Sequence, residues 1–275
     1  MNALSTTYKF KALAKLGYIA RGAVYLVIGG LAIMAALGAG GETTDSKGAI
    51  EEILEKPFGT FLIILLVIGL FGFMIWRLIQ ALSDTDDHGT SAKGLAIRGG
   101  LIVSAATHAL LGLWAIKLML GDEQSSQNNQ QFLSTDGGQI ILGIVGLAFA
   151  GAGLATIYKG CKASFERYMK IPGNHRNWAR PLCRFGLISR GVVWCILAWF
   201  CIDSAFTAKS GEIKGIADAL NALHQGPHGT WLFAIVAAGL FAFGVYSVLE
   251  AFYRRIDADE GADKLKGAVG STILR

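Results

Sequence analysis

Charge is in short supply in this chain. Asp, Glu, Lys and Arg make up only 16% of its 275 residues, against about 25% in a typical soluble domain. With 53% hydrophobic residues and a mean hydropathy of +0.47, an ordinary water-soluble globule is excluded. There are four prolines, none in the interior of a long apolar run, so the broken helices of coupled transporters are not expected. The four cysteines, Cys161, Cys183, Cys195 and Cys201, form no C-x-x-C. Two lie in an apolar run, and all read as reduced small hydrophobes rather than a disulfide framework or a zinc site. The chain has no H-E-x-x-H, no phosphate-cradling G-x-x-x-x-G-K-[ST], no Ser/His/Asp set and no paired mid-membrane carboxylates. No catalytic residue, metal or cofactor is therefore expected. A single histidine at mid-membrane depth, His108, excludes a bis-histidine haem. The first apolar run is long enough to span and lacks a small-residue cleavage site, so it reads as a retained helix and not a signal peptide.

What is present is hydrophobic length. A spanning helix needs about 20 apolar residues, and six runs qualify, at 16–38, 57–82, 97–120, 137–160, 184–207 and 227–252. Barrel-type alternation is absent. The expected fold is an all-α integral membrane protein with six transmembrane helices. Twenty of the 25 Lys and Arg lie at the N-terminus, in the 83–96 and 160–183 loops with their adjoining helix ends, or at the C-terminus. That asymmetry predicts a multi-pass protein of a bacterial cytoplasmic membrane with both termini inside. It also accounts for the net charge of +5 without nucleic acid. Two short amphipathic stretches, 49–54 and 219–224, read as interfacial helices.

The six runs are three copies of one two-helix unit. Gly17-Tyr18-Ile19-Ala20-Arg21-Gly22 matches Gly186-Leu187-Ile188-Ser189-Arg190-Gly191 and, less closely, Gly100-Leu101-Ile102-Val103-Ser104-Ala105. Pro57-Phe58-Gly59-Thr60 matches Pro227-His228-Gly229-Thr230 and, more distantly, Asp136-Gly137-Gly138-Gln139; Gln80-Ala81 matches Glu250-Ala251. The organisation expected is a cytoplasmic segment at 1–15, repeats at 16–84, 97–168 and 184–255, and a cytoplasmic tail at 256–275. Each unit has two spans, so the repeats are parallel, about an axis along the membrane normal. A pseudo-threefold bundle and a linear array both satisfy this pattern. Gly-Tyr-Ile-Ala-Arg-Gly at 17–22, Pro-Phe-Gly at 57–59, Trp76-Arg77 with Gln80-Ala81, and Ser-Arg-Gly at 189–191 resemble a bacterial membrane family catalogued as domain of unknown function 1206. The resemblance implies three two-helix repeats and no assigned activity. The middle unit departs from it, with Ser104 in place of arginine.

Ionisable residues within a span are costly and face the bundle. Arg21 and Arg190 lie near the cytoplasmic ends of the first and fifth spans, each four residues after a glycine and four before an aromatic. This spacing sets Gly17, Arg21 and Tyr25 on one face, and Gly186, Arg190 and Trp194 on another. Arg21, Arg190, Ser104, Tyr25, His108 and Trp194 are the candidate ligand-binding residues, since guanidinium suits a phosphate or carboxylate. Gln80 and Glu250 lie at similar depth as structural ion-pair partners. Tyr25, His108 and Trp194 would form one layer, a constriction or a packed core. Asp84, Asp86, Asp87 and His88 read as a solvated helix end rather than a metal site. The function expected is a non-enzymatic membrane protein that binds anionic lipid or a small anionic ligand, or serves as an assembly module. The alternative is a small channel or carrier for an anion or lipid. Membrane lipids are the expected partners, with a protein partner or homo-oligomer left open.

Overall fold

The computed structural model describes residues 3–39, 44, 46–55, 57–86, 88–121, 136–207, 216–225 and 229–254. The tail at 256–275, Asp87, Pro227 and His228 lie outside the described residues. Among the described residues every regular element is a helix. They are α1 (Ala3–Ala36), α2 (Ser46–Leu54), α3 (Gly59–Ser83), α4 (Ala92–Met119), α5 (Asp136–Cys161), α6 (Gly173–Thr207), α7 (Ile216–Gln225) and α8 (Gly229–Tyr253), with a 3₁₀ turn at Ser164–Arg167. Six of them, α1, α3, α4, α5, α6 and α8, are long and apolar enough to cross a bilayer. The two amphipathic stretches form α2 and α7, each leading into a span.

Several helices outrun their apolar runs. The segment expected as a loop before residue 184 supplies the first turns of α6, which begins at Gly173 and carries Pro181 inside it. Ala179 and Cys183 are buried there while Arg176, Arg180 and Arg184 are exposed. A run judged on mean apolarity stops at the arginines, although the helix continues along its buried face. The start of α4 is set by Ser91, whose hydroxyl accepts from the Gly94 N–H at 3.2 Å, an N-cap.

The motif glycines have a steric cause. Gly59 opens α3 beneath the last carbonyls of α2, and a Cβ there would lie 2.6 Å from the Ile53 oxygen. Gly229 repeats this at α8, 2.8 Å from the Leu223 oxygen. Glycine permits each short helix to fold back directly onto the next span.

The helix pairing is cyclic. The second helix of each unit packs on the first helix of the next: α3 on α4, α5 on α6, and α8 on α1. At α8–α1, a Cβ on Gly22 would lie 2.8 Å from Val248 Cγ2. At α5–α6, a Cβ on Gly191 would lie 2.6 Å from Ile157 Cγ1. The two interfaces therefore share one register, and small residues let the backbones approach in each. Within the first and third units the two helices also pack together: Gly17 seats against Phe73 and Gly186 against Phe243, each with 2.5 Å between a would-be Cβ and its nearest atom. In the middle unit this pairing is missing. Among the described residues α4 and α5 make no substantial contact with each other, and a Cβ on Gly100 would meet nothing within 4 Å. The six spans thus form a pseudo-threefold ring, in the order α1, α3, α4, α5, α6, α8, that is open between α4 and α5.

Candidate functional site

The two repeated arginines have different surroundings. Arg21 is only 5% exposed. Its Nη2 pairs with Glu250 of α8, and its Nε donates to Ser247 Oγ at 3.1 Å. The rings of Phe73, Tyr18 and Phe243 stand 5.0, 5.2 and 5.3 Å from its guanidinium carbon. A buried charge is tolerated when paired and hydrogen-bonded, as here. The network continues outward. Glu250 Oε1 accepts from Arg254 at 2.8 Å. Arg254 also donates to Asp86 at 3.2 Å. Asp86 accepts from Gln80 Nε2 at 2.8 Å, and Gln80 Oε1 accepts from Arg77 at 3.2 Å. One chain of polar bonds therefore ties α1, α8 and α3 together.

Arg190 holds the same repeat position in α6 with no carboxylate partner among the described residues. Its Nε donates to the Tyr25 hydroxyl at 3.3 Å, and it lies over Trp194, Phe243 and Tyr25 at 4.0, 4.4 and 5.5 Å. Helices α1 and α6 are not neighbours in the ring, so the contact with Tyr25 crosses its interior. The missing acid follows from the sequence and the shared register. The place that Glu250 occupies in α8 falls to Lys159 in α5, the helix packed on α6, and an ammonium accepts no hydrogen bond.

At the third position, Ser104 contributes its backbone: its carbonyl lies 2.7 Å from His108 Nδ1. A carbonyl only accepts, so Nδ1 carries the hydrogen. The His108 ring packs on Phe73 at 4.6 Å between centroids. Of the expected layer, Tyr25 and Trp194 meet through Arg190, whereas His108 turns toward α3. Of the two expected partners, Glu250 meets Arg21, and Gln80 meets Arg77 and Asp86.

Arg77, Lys159, Asp86 and Arg254 were grouped above with the topological charges or the solvated helix end, and their place in this cluster was missed. Aligning Lys159 with Gln80 and Glu250 across the repeat was the available signal. The acidic stretch after α3 is not simply solvated. Asp84 accepts from the N–H groups of His88 and Gly89 at 2.8 and 2.7 Å. Burial works to raise its pKa, but these bonds outweigh it and hold the carboxyl below its ordinary value. Other basic residues cap helices: Arg98 donates to the Ala81 oxygen at 2.6 Å, ending α3, and Arg184 to the Gly160 oxygen at 3.1 Å, ending α5. Both satisfy carbonyls that helix ends leave open. All four cysteines are free. Among the described residues no group of three His, Cys, Asp or Glu side chains could hold a metal ion.

Comparison with known proteins agrees with the repeat. The model of the family described as Domain of Unknown Function (DUF1206) matches three times, at residues 16–84, 99–163 and 185–254. The chain is 32% identical over 253 residues to "Uncharacterized protein YxxB" of Bacillus subtilis (strain 168), covering 90% of this chain and 92% of that protein. No solved structure matches. Three in-register matches over most of its length place this multi-pass membrane chain in the DUF1206 family.

Proposed function

We propose that this protein is a non-enzymatic membrane protein that binds an anionic group inside its helix ring, with Arg190 as the principal contact. The observation that carries this is the charge balance of the cluster. The guanidiniums of Arg21, Arg77, Arg190 and Arg254 stand with two carboxylates, Glu250 and Asp86. Both carboxylates are engaged on the α1–α8–α3 side. Arg77 Nε is in addition a buried donor with no acceptor among the described residues. In a low-dielectric setting an excess of guanidinium favours a phosphate or carboxylate, which binds it through charge-assisted, often bidentate bonds. Arg21 is then a structural clamp and Arg190 the binding residue. The charge asymmetry of the loops favours placing this end of the ring on the inner face of a bacterial cytoplasmic membrane. Rings of Tyr25, Phe243 and Trp194 close over Arg190 inside the bundle, which favours binding over an open conducting path.

Native mass spectrometry of the protein released from mild detergent tests this. The wild type is expected to carry an anionic adduct whose occupancy falls on the order of tenfold in Arg190→Gln, the loss equivalent to one charge-assisted contact. Equal occupancy in the wild type and an Arg77→Gln/Arg190→Gln variant would overturn the proposal.

A further inference from the structure

The middle unit has lost the side chains that close the other two. At the position of Phe73 and Phe243 it carries Ala152, and at that of Trp76 and Tyr246 it carries Ala155. Across the gap, Val103 of α4 is 61% exposed, whereas its counterparts Ala20 and Ser189 are 5% and 4% exposed. Thr107 is exposed where Val24 and Val193 are buried. On these two helices, which make no substantial contact with each other, Gly100, Val103 and Thr107 of α4 and Gly151 and Ala155 of α5 are exposed and leave the ring open. A bilayer offers hydrocarbon to fill such an opening. At the arginine-rich end of the opening stands Lys159, exposed. Arg190 is on α6, the helix packed on α5, and reaches across to Tyr25 without a carboxylate among the described residues.

We infer that this opening seats one anionic phospholipid side-on, its acyl chains along the α4 and α5 walls and its phosphate against Lys159 and Arg190. The inference rests on the anion-binding reading of Arg190 and adds the ligand class and the route of entry. Charge complementarity selects the occupant. A third apolar helix would fill the walls but leave Arg190 without an anion, and a free anion would answer Arg190 but leave the walls bare. An anionic amphiphile satisfies both. A lipid resting on the outside of a span meets no such interior guanidinium, so the site discriminates by headgroup where ordinary boundary lipid does not.

The test uses the full chain in vesicles of phosphatidylethanolamine and phosphatidylglycerol in equal parts. A photoreactive benzoylphenylalanine replaces Gly100, where there is room for it, or Ile235, exposed on α8, as the boundary-lipid control. On illumination, the probe at residue 100 is expected to capture phosphatidylglycerol over phosphatidylethanolamine about tenfold more selectively than the probe at residue 235. That selectivity is lost in Lys159→Gln/Arg190→Gln. Ala152→Phe, which restores the ring of the outer units without touching charge, is expected to lower total lipid capture at residue 100. It also serves as the test should the charge variant fail to fold. Equal headgroup capture at both sites would mean boundary lipid only and overturn the inference. So would a cross-link to a second copy of the chain. If the detergent-released protein loses its anionic adduct in Arg190→Gln while the probe at residue 100 shows no headgroup preference, the arginine site stands and the opening as its entrance falls.

Discussion

The outer two units and the middle one are built on the same repeat, yet they do different things with it. In the first and third, a glycine on the leading helix receives a phenylalanine from the trailing helix, and the pair closes into a hairpin. In the middle unit the glycine remains, as Gly100, but its phenylalanine has become Ala152, and the helices stay apart. The arginine position follows the same division. Arg21 sits between the two closed units and is neutralised by Glu250. Arg190 sits beside the open one, where Lys159 stands in the acid's place. Closure and charge neutrality fail together at one place in the ring. The lesson is that a repeat conserves a backbone while individual units shed the side chains that make it self-sufficient.

The largest expected effect separates the arginines. Arg21→Ala leaves Glu250, 4% exposed, with only Arg254 and the Tyr246 hydroxyl. Removing one partner of a buried pair costs about 3–5 kcal/mol, which thermal unfolding in detergent should record as a large drop in Tm. Arg190→Ala strands no described carboxylate and should leave Tm close to wild type. Comparable drops in both would erase the distinction between clamp and binding residue.

The glycines come next. Gly17→Ala and Gly186→Ala place a methyl into the backbone of Phe73 or Phe243, and overpacking of this kind costs about 1–3 kcal/mol. Gly100→Ala meets open space and instead gains helix propensity, up to about 1 kcal/mol. The sign of the change should therefore invert between the units, as measured by the same unfolding assay. A destabilising Gly100→Ala would mean that α4 and α5 close in the membrane.

A smaller effect concerns a polar bond of the first unit. The Trp76 indole N–H donates to the Tyr18 hydroxyl at 3.1 Å, and the third unit has Tyr246 and Leu187 at these positions. Trp76→Phe should cost about 1 kcal/mol, and Tyr246→Phe, which removes a hydroxyl bonded to the buried Glu250 carboxylate, at least as much.

The smallest effect is on pH dependence. The folded carboxyl of Asp84 lies below its ordinary value, about 3.9, so its contribution to stability is present above that pH and lost as pH falls through the lowered folded value. Asp84→Asn should lower Tm at neutral pH and narrow its gap to wild type below about pH 4. A gap that widens on acidification would reverse the sign of the coupling.

Much of this fold is legible in a line of letters because a bilayer imposes a simple condition: backbone polar groups must be satisfied within the span. Twenty-odd apolar residues then mean a helix, and Gly-x-x-x-Arg-x-x-x-aromatic at 17–25 and 186–194 marks two equivalent faces. Residues 173–183 were less legible because their burial is a stripe, and averaging hides a stripe beneath its arginines. In the site, Arg21 and Glu250 could be proposed as partners from depth alone. That Arg190 has no such partner among the described residues could not, because the answer depends on which helix lies beside α6.

The sequence by itself determined the six spans, the threefold repeat, the helix-packing glycines and the clustering of cations at one end. These are local or periodic properties, set by solvent transfer and spacing along one helix. Only the tertiary structure decided the cyclic order of the helices, the opening between α4 and α5, and the separate roles of two arginines in the same motif. Those depend on pairings between helices far apart in the chain, and a residue's charge partner is whatever the neighbouring helix presents at its depth.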